Sequence, residues 1–383
     1  MKFSFLFVCL FFAVSAPLPV FCVKLQTATA SSGSASLAET MVGAIMRSPL
    51  YDPIVKQARN TMVKTATSVG IEWERIAETM VKANDWTAAV ESVLHETKDL
   101  IIPEYYQARF HGYSEGNLCI EAAIEQEIAG KAVGARNFPQ EGIEGEKMLR
   151  GCYDEQLKNL GAVVPDGSVL LDMGCGTGTS TRRLSQLFPQ AKKVIGIDLS
   201  PQMIAVGRHL QKGTTDNEWV ENITKNEKIT LNCGDISDTG LPDNSVSLVS
   251  LCLVLHELPP TASTKIFEEC HRVLKPGGCL ALMEMDPEAP GYRKLRANPW
   301  LFAVLRSTEP YLDDYFNFAP LMPSTLSQMG FSSVKVSAAT GRHLTLVAMK
   351  NGIMDLRPSD DEREQSDAHV GTLERDMTKA KVI

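Results

Sequence analysis

The sequence predicts an α/β fold: a doubly wound, mostly parallel sheet of seven strands preceded by a helical extension. Three observations predict it. Short apolar runs alternate with helix-period segments across residues 161–350, the pattern of strands buried on both faces and joined by crossover helices. A glycine-rich turn follows the first of these runs directly. The last two runs are separated by a turn around Gly341, too short for a helix, which predicts an antiparallel hairpin at the sheet edge.

Taken in chain order, the first segment is a targeting signal. Lys2 and the apolar run Phe3 to Val14 lead into the small residues Val14-Ser15-Ala16, and the run is short of the roughly 20 apolar residues of a membrane span. From there to Ala38 the chain is rich in Ser, Thr and Ala, with its first acid at Glu39. Residues 1–38 therefore read as a targeting or flexible segment, consistent with signal-plus-transit import into a plastid or, alternatively, with secretion.

Residues 39–150 read as a helical N-terminal region. Ile71, Trp73, Ile76, Met80 and Val81 form one apolar face; Trp86, Ala89, Val90 and Val93-Leu94 form another. Asn84-Asp85 and Ile101-Ile102-Pro103 interrupt the pattern. Leu149, Tyr153, Leu157 and Leu160 then make a helical stripe leading into a main domain over residues 151–350.

In that domain the predicted strands are Val169–Asp172, Lys193–Asp198, Ile229–Asp235, Val246–Leu251, Gly278–Glu284, Val334–Ser337 and His343–Ala348. An insertion at about 287–327 forms a cap rich in aromatic residues. Beyond Asn351 the periodicity ends, and Asp360-Asp361-Glu362-Arg363-Glu364 marks a charged tail over 351–383. The net charge of -8 disfavours a nucleic-acid surface, which needs concentrated Lys and Arg. No cysteine or histidine spacing resembles a metal site, and the nine cysteines read mainly as buried thiols. No segment fixes a subunit count, and a homo-oligomer stays open.

The turn after the first strand is Asp172-Met173-Gly174-Cys175-Gly176-Thr177-Gly178. Glycines there let the backbone bend sharply and approach a ligand without Cβ collisions. A nicotinamide fingerprint, Gly-x-Gly-x-x-Gly, would place its last glycine where Thr179 stands. The order Asp-x-Gly-x-Gly-x-Gly instead resembles the first motif of class I S-adenosylmethionine-dependent methyltransferases, of the type 11/25 kind. Leu199-Ser200-Pro201-Gln202-Met203, Gly234-Asp235, Leu241-Pro242, His256-Glu257-Leu258-Pro259 and Lys275-Pro276-Gly277-Gly278 follow in that family's order. Phe110 to Leu118 and Ser307 to Phe316 resemble a little-described plant, algal and cyanobacterial branch, which supplies no settled substrate.

The resemblance implies a Rossmann-like sheet, S-adenosyl-L-methionine as methyl donor and S-adenosyl-L-homocysteine as product. It implies that Asp172, Gly174, Cys175, Gly176, Thr177 and Gly178 surround the methionine end, with Asp172 attracting its ammonium or capping the turn. Asp198 would meet the ribose hydroxyls and Asp235 the adenine amino group, with Leu199, Met203 and Ile236 flanking. His256, after the fourth strand, is a candidate base or substrate orienter, or a structural histidine; Glu257 beside it is expected to point away. Tyr106, His111, Glu284, Tyr311, Tyr315 and Arg342 are candidate acceptor contacts, Arg342 for a carboxylate. The acceptor is expected to be a small molecule methylated on O, N or S. A protein substrate, a noncatalytic cofactor-binding scaffold and, more remotely, a nicotinamide oxidoreductase are the competing readings.

Overall fold

A computed structural model describes residues 51–97, 99–213 and 226–352. Residues 1–38, expected to be a targeting or flexible segment, the start of the helical region, part of the weakly patterned stretch before residue 229, and most of the charged tail lie outside the described residues.

Seven strands form one sheet in the order β3-β2-β1-β4-β5-β7-β6. They are β1 Val169–Met173, β2 Lys193–Asp198, β3 Ile229–Cys233, β4 Val246–Cys252, β5 Leu274–Met285, β6 Phe331–Ala338 and β7 His343–Lys350. The first five are parallel, and β7 runs antiparallel between β5 and β6. The central strands are buried along nearly their whole length because helices cover both faces. β6, at the edge, is largely exposed. It begins three residues earlier than the sequence pattern suggests. A register shift between Ser332 and Lys335, with Ser333 at φ 50°, breaks the alternation from which a strand is recognised.

Strand order reverses between β1 and β4. A crevice therefore opens outside their carboxyl ends, since the crossovers on either side leave to opposite faces.

The N-terminal helices are α1 Tyr51–Ser68, α2 Trp73–Lys82, α3 Trp86–Glu96, α4 Ile120–Asn137 and α5 Gly145–Leu160. α5 runs through residue 150, so one helix joins the helical region to the sheet domain. Trp73, Ile76 and Met80 are buried as their spacing predicts, whereas Val81 is exposed. Val93 is buried while Leu94 is exposed. A helix turns about 100° per residue, so a neighbour of a core residue leaves the core face. The Asn84-Asp85 interruption is a helix start: the Asp85 carboxylate accepts a hydrogen bond from Ala88 N–H at 3.1 Å.

α4 and α5 approach so closely that a Cβ on Gly134 would lie 2.1 Å from the Glu146 nitrogen. Only glycine fits there. After β1 comes α6 Thr179–Leu187, and after β2 comes α7 Pro201–Leu210. Met80, Trp86, Ala123 and Ile124 pack with Met203, Val206 and Leu210 of α7, so the helical region shares a core with the sheet domain.

α8 Pro260–Val273 leads into β5. The cap comprises α9 Pro290–Arg296, α10 Pro299–Thr308, α11 Leu312–Phe318 and α12 Met322–Gln328. Leu312, Tyr315, Phe316 and Phe318 join the main core, and Phe316 packs against Phe302 and Tyr292. Among the described residues no helix is long and apolar enough to cross a membrane. The described cysteines are free thiols.

Candidate functional site

The crevice at the strand order reversal is roofed by α1, α4, α9 and α10, which leaves a cavity of about 640 Å³. That volume falls in the roughly 300–1,000 Å³ range of small-molecule sites.

The glycine turn forms its floor. Gly174, Gly176 and Gly178 have φ of 71°, 53° and 91°, in the left-handed region. A Cβ on Gly174 would lie 2.6 Å from Val254 Cγ2, so turn and β4 exit can meet only with glycine there. Gly174 N–H and Cys175 N–H both donate to Ile197 C=O, at 2.8 and 3.1 Å, which pins the turn to β2.

The expected donor-site residues divide into two groups. Gly174, Cys175, Asp198, Leu199, Met203, Asp235 and Ile236 border the cavity. Asp172, Gly176, Thr177 and Gly178 lie off its wall. Asp172 is fully buried beneath the turn, and its Oδ2 accepts from the Ser180 and Thr181 hydroxyls at 2.7 and 2.6 Å. It thus holds the first turn of α6. Its Oδ1 is buried without a partner in the protein. Burial pushes the carboxyl up to about 6, against the pull of those hydroxyls. Gln126 of α4 lies over Gly176 and accepts from Thr177 N–H at 2.6 Å, which keeps that part of the turn off the wall.

Asp198, at the end of β2, accepts from Gly176 N–H at 2.8 Å, Ser200 N–H at 2.9 Å and the Tyr106 hydroxyl at 3.3 Å. Burial raises its carboxyl and these donors lower it, with burial prevailing. Tyr106 borders the cavity as expected. Asp235 accepts from Ser237 N–H at 2.7 Å. Near it, burial and then the Asp235 charge push the Tyr105 phenol up to about 12. The two aspartates thus sit at the ends of adjacent strands, each facing the same hollow.

α4 is clamped to this floor by groups that sequence reasoning missed. Glu127 accepts from Thr177 Oγ1 at 2.8 Å and pairs with Arg182 Nη2 at 2.6 Å, all three buried. Burial alone would raise the Glu127 carboxyl, but Arg182 outweighs it and holds the group below its ordinary value. The only signal in the sequence is the polar run Glu125-Gln126-Glu127 between the apolar stretches Ala122–Ile124 and Ile128–Gly130.

β4 leaves the sheet through Leu253, at φ 61°, and the following turn carries His256. Glu284 secures that turn. Its Oε1 accepts from Val254 N–H and Leu255 N–H, each at 2.5 Å, and its Oε2 lies 2.9 Å from His256 Nδ1. Glu284 is fully buried and off the cavity wall, so it positions His256 and does not reach an acceptor directly. Burial lowers the His256 imidazole, but the Glu284 carboxylate overrides it and pushes the group up to about 10. The Glu284 carboxylate therefore favours the imidazolium form of His256. That form is suited to donate a hydrogen bond or orient an acceptor, and unsuited to take a proton.

Glu257 was expected to point away, yet it borders the same cavity, because the short helical turn Leu255–Glu257 is not a regular helix face. Asn117 Nδ2 donates to its Oε2 at 3.0 Å. Burial pushes Glu257 up to about 7, opposed by His111 and His256. His111 borders the cavity and lies 3.2 Å from Glu309, whose charge raises the imidazole despite burial.

The expectation that Tyr311 and Tyr315 contact the acceptor is corrected. Tyr315 is 1% exposed, with its hydroxyl donating to Met285 C=O at 2.7 Å. Tyr311 donates to Tyr105 C=O at 3.3 Å. Neither borders the cavity. The Tyr315 ring is buried in the cap core, Tyr311 stays half-buried, and the cap offers Tyr292, Leu295, Leu301 and Leu305 to the cavity instead. Arg342 does border it. Among the described residues no group of His, Cys, Asp and Glu is placed to hold a metal ion.

Residues 171–282 match the family model described as "Methyltransferase domain". The chain is 29% identical over 191 residues to the demethylmenaquinone methyltransferase of Staphylococcus saprophyticus, spanning 46% of this chain and 76% of that one. With the arsenite methyltransferase of Halobacterium salinarum it is 27% identical over 197 residues, spanning 51% of this chain and 44% of the relative. Among solved structures, a SAM-dependent methyltransferase from Aquifex aeolicus aligns over 51% of this chain and 88% of its own, at 22% identity and a TM-score of 0.38.

Proposed function

We propose that this chain, a class I S-adenosylmethionine-dependent methyltransferase, transfers the methyl group to a small molecule held under its helical roof. The observation that carries this reading is the roofed cavity: the strand-end carboxylates, the His256–Glu284 pair and Glu257 all meet in a hollow of small-molecule size. Relatives named for demethylmenaquinone and arsenite support a small acceptor.

The residues present fit the cofactor. Asp198 and Asp235 would hold the ribose hydroxyls and the adenine amino group through their carboxylate oxygens, and Leu199, Met203 and Ile236, which line the same cavity, would flank them. The partnerless Asp172 Oδ1 lies beneath the turn that would meet the ammonium. When bound, S-adenosylmethionine supplies an electrophilic methyl group on a positively charged sulfur. The surrounding acids, Asp198, Asp235, Glu257 and Glu309, favour positive charge there.

The chain's own residues do the rest. His256, fixed through Nδ1 by Glu284, presents its remaining ring nitrogen to orient the acceptor. Glu257 titrates near neutrality and takes the proton an acceptor hydroxyl, amine or thiol must lose. α1, α4, α9 and α10 exclude water.

Incubating the full chain with methyl-labelled S-adenosylmethionine and fractionated native metabolites, followed by mass analysis, tests the reading. One small labelled product is expected with S-adenosylhomocysteine. Label recovered only in polypeptide would point to a protein methyltransferase. Cofactor binding without any labelled product would point to a scaffold.

A further inference from the structure

The cavity wall carries charge of both signs. Asp198, Asp235, Glu257 and Glu309 line it. So do Arg136, at the end of α4, Lys294 of α9 and Arg342, just before β7, with Arg136 and Arg342 near enough for their charges to interact. Other cations on the wall have carboxylate partners: Arg59 with Glu125, Arg150 with Glu146 at 2.6 Å, and the two histidines described above. Among the described residues, Arg136, Lys294 and Arg342 show no carboxylate partner. Arg136 Nη1 instead lies 3.1 Å from Met62 Sδ, a weak acceptor.

Arg342 is brought to this place by the fold. Its side chain crosses the start of α9 at Gly291, where a Cβ would lie 2.5 Å from Arg342 Cγ. Arg136 reaches solvent at the cavity mouth, yet the enclosing protein and then the positive charge of Arg342 both hold its guanidinium below the ordinary value. Guanidiniums that repel one another attract strongly once a carboxylate or phosphate joins them, and their planar forks suit both. The same wall is apolar where Val133, Leu295, Leu301 and Leu305 line it.

We propose that the methyl acceptor is an amphipathic anion whose carboxylate or phosphate is held by Arg136 and Arg342, with its apolar body along α4, α9 and α10. This rests on the methyltransferase reading, and it narrows the acceptor to one chemical class. The reacting atom lies toward His256 and Glu257, and the anionic group lies at the two guanidiniums.

Calorimetry on the full chain tests the two readings separately. A first titration with S-adenosylhomocysteine tests the methyltransferase site; no binding there overturns that reading. The saturated protein is then titrated with decanoate, decyl phosphate, decanol and decyltrimethylammonium. At least one anion is expected to bind, about tenfold or more tighter than decanol and the cation. The tighter of the two anions identifies carboxylate or phosphate as the preferred group. Arg136→Gln and Arg342→Gln should each weaken anion binding by about tenfold while S-adenosylhomocysteine affinity is unchanged. Anions binding no tighter than decanol, no anion binding at all, or anion affinity unmoved in both variants would overturn the proposal.

Discussion

The cavity has two walls built on different principles. Its floor, from the glycine turn through Asp198, Asp235 and His256, is made of strand ends and is fixed by backbone hydrogen bonds such as Gly174 N–H to Ile197 C=O. Its roof, from α1, α4, α9 and α10, is fixed to the floor by side chains: Glu127 pairs with Arg182, and Gln126 accepts from Thr177 N–H, while His111 with Glu309 ties the N-terminal region to the cap. A backbone-fixed wall tolerates most side-chain changes, because the sheet supplies the bonds. A wall hung on buried charges depends on both members of each pair. The roof is therefore where single substitutions should separate stability and acceptor binding from the integrity of the sheet.

The largest effect is expected at the clamp. Glu127→Ala leaves Arg182 buried without its partner and should cost about 3–5 kcal/mol in denaturant unfolding. The pH dependence has a definite sign. Because Arg182 holds the Glu127 carboxyl below its ordinary value of 4.5, this contribution is present above 4.5 and lost as pH falls through the lowered folded value. Glu127→Ala should show a smaller loss of stability over that acid range. An unchanged midpoint in the variant would mean that the roof is held chiefly by apolar packing.

Next comes the crossing of α4 with α5. Gly134→Ala inserts a Cβ into backbone and should cost about 1–3 kcal/mol in the same measurement. A neutral result would show that the roof can lift off α5 at little cost, which blurs the distinction between the walls.

On the floor, Asp198→Asn should weaken S-adenosylhomocysteine binding by about tenfold or more, read by calorimetry. Its unfolding midpoint should move less than that of Glu127→Ala, since an asparagine oxygen can still accept from Gly176 N–H. If the ranking of midpoints reversed, the floor would depend on side chains as the roof does.

The smallest effect is a pH profile. Glu257 is raised by burial to about 7, so between its ordinary 4.5 and about 7 the folded protein holds a proton there that the unfolded chain has lost. Single-turnover methyl transfer should rise with pH through about 7 as Glu257 ionises, and Glu257→Gln should flatten that rise. The same ionisation should subtract stability as pH climbs through that window, because the native state then holds a buried charge. A rise that persisted in Glu257→Gln would assign the proton to another group.

What could be read ahead of the structure follows the same division. β1, β2 and β4 are legible because strands covered on both faces must be continuously apolar. The glycine turn is legible because its backbone needs residues that accept positive φ. Asp198 and Asp235 are legible because each immediately follows or ends a strand. Glu284 also ends a strand, and by the same logic looked available to an acceptor. Leu253 leaves the sheet so sharply, however, that the next two backbone N–H groups need a buried acceptor, and Glu284 is consumed there. Tyr311 and Tyr315 carried aromatic character without direction: the cap took Tyr315 into its own packing, and Tyr311 turned to the Tyr105 carbonyl.

The sequence by itself determined the sheet, the turn and the strand-end carboxylates that face the cavity, because each follows from local rules of backbone geometry and strand periodicity. Only the tertiary structure decided that Glu257 faces inward, that Glu127 meets Arg182 and that Arg136 shares a wall with Arg342. Those meetings join helices and turns far apart in the chain, and a charge carries no local pattern that says which distant partner it will find.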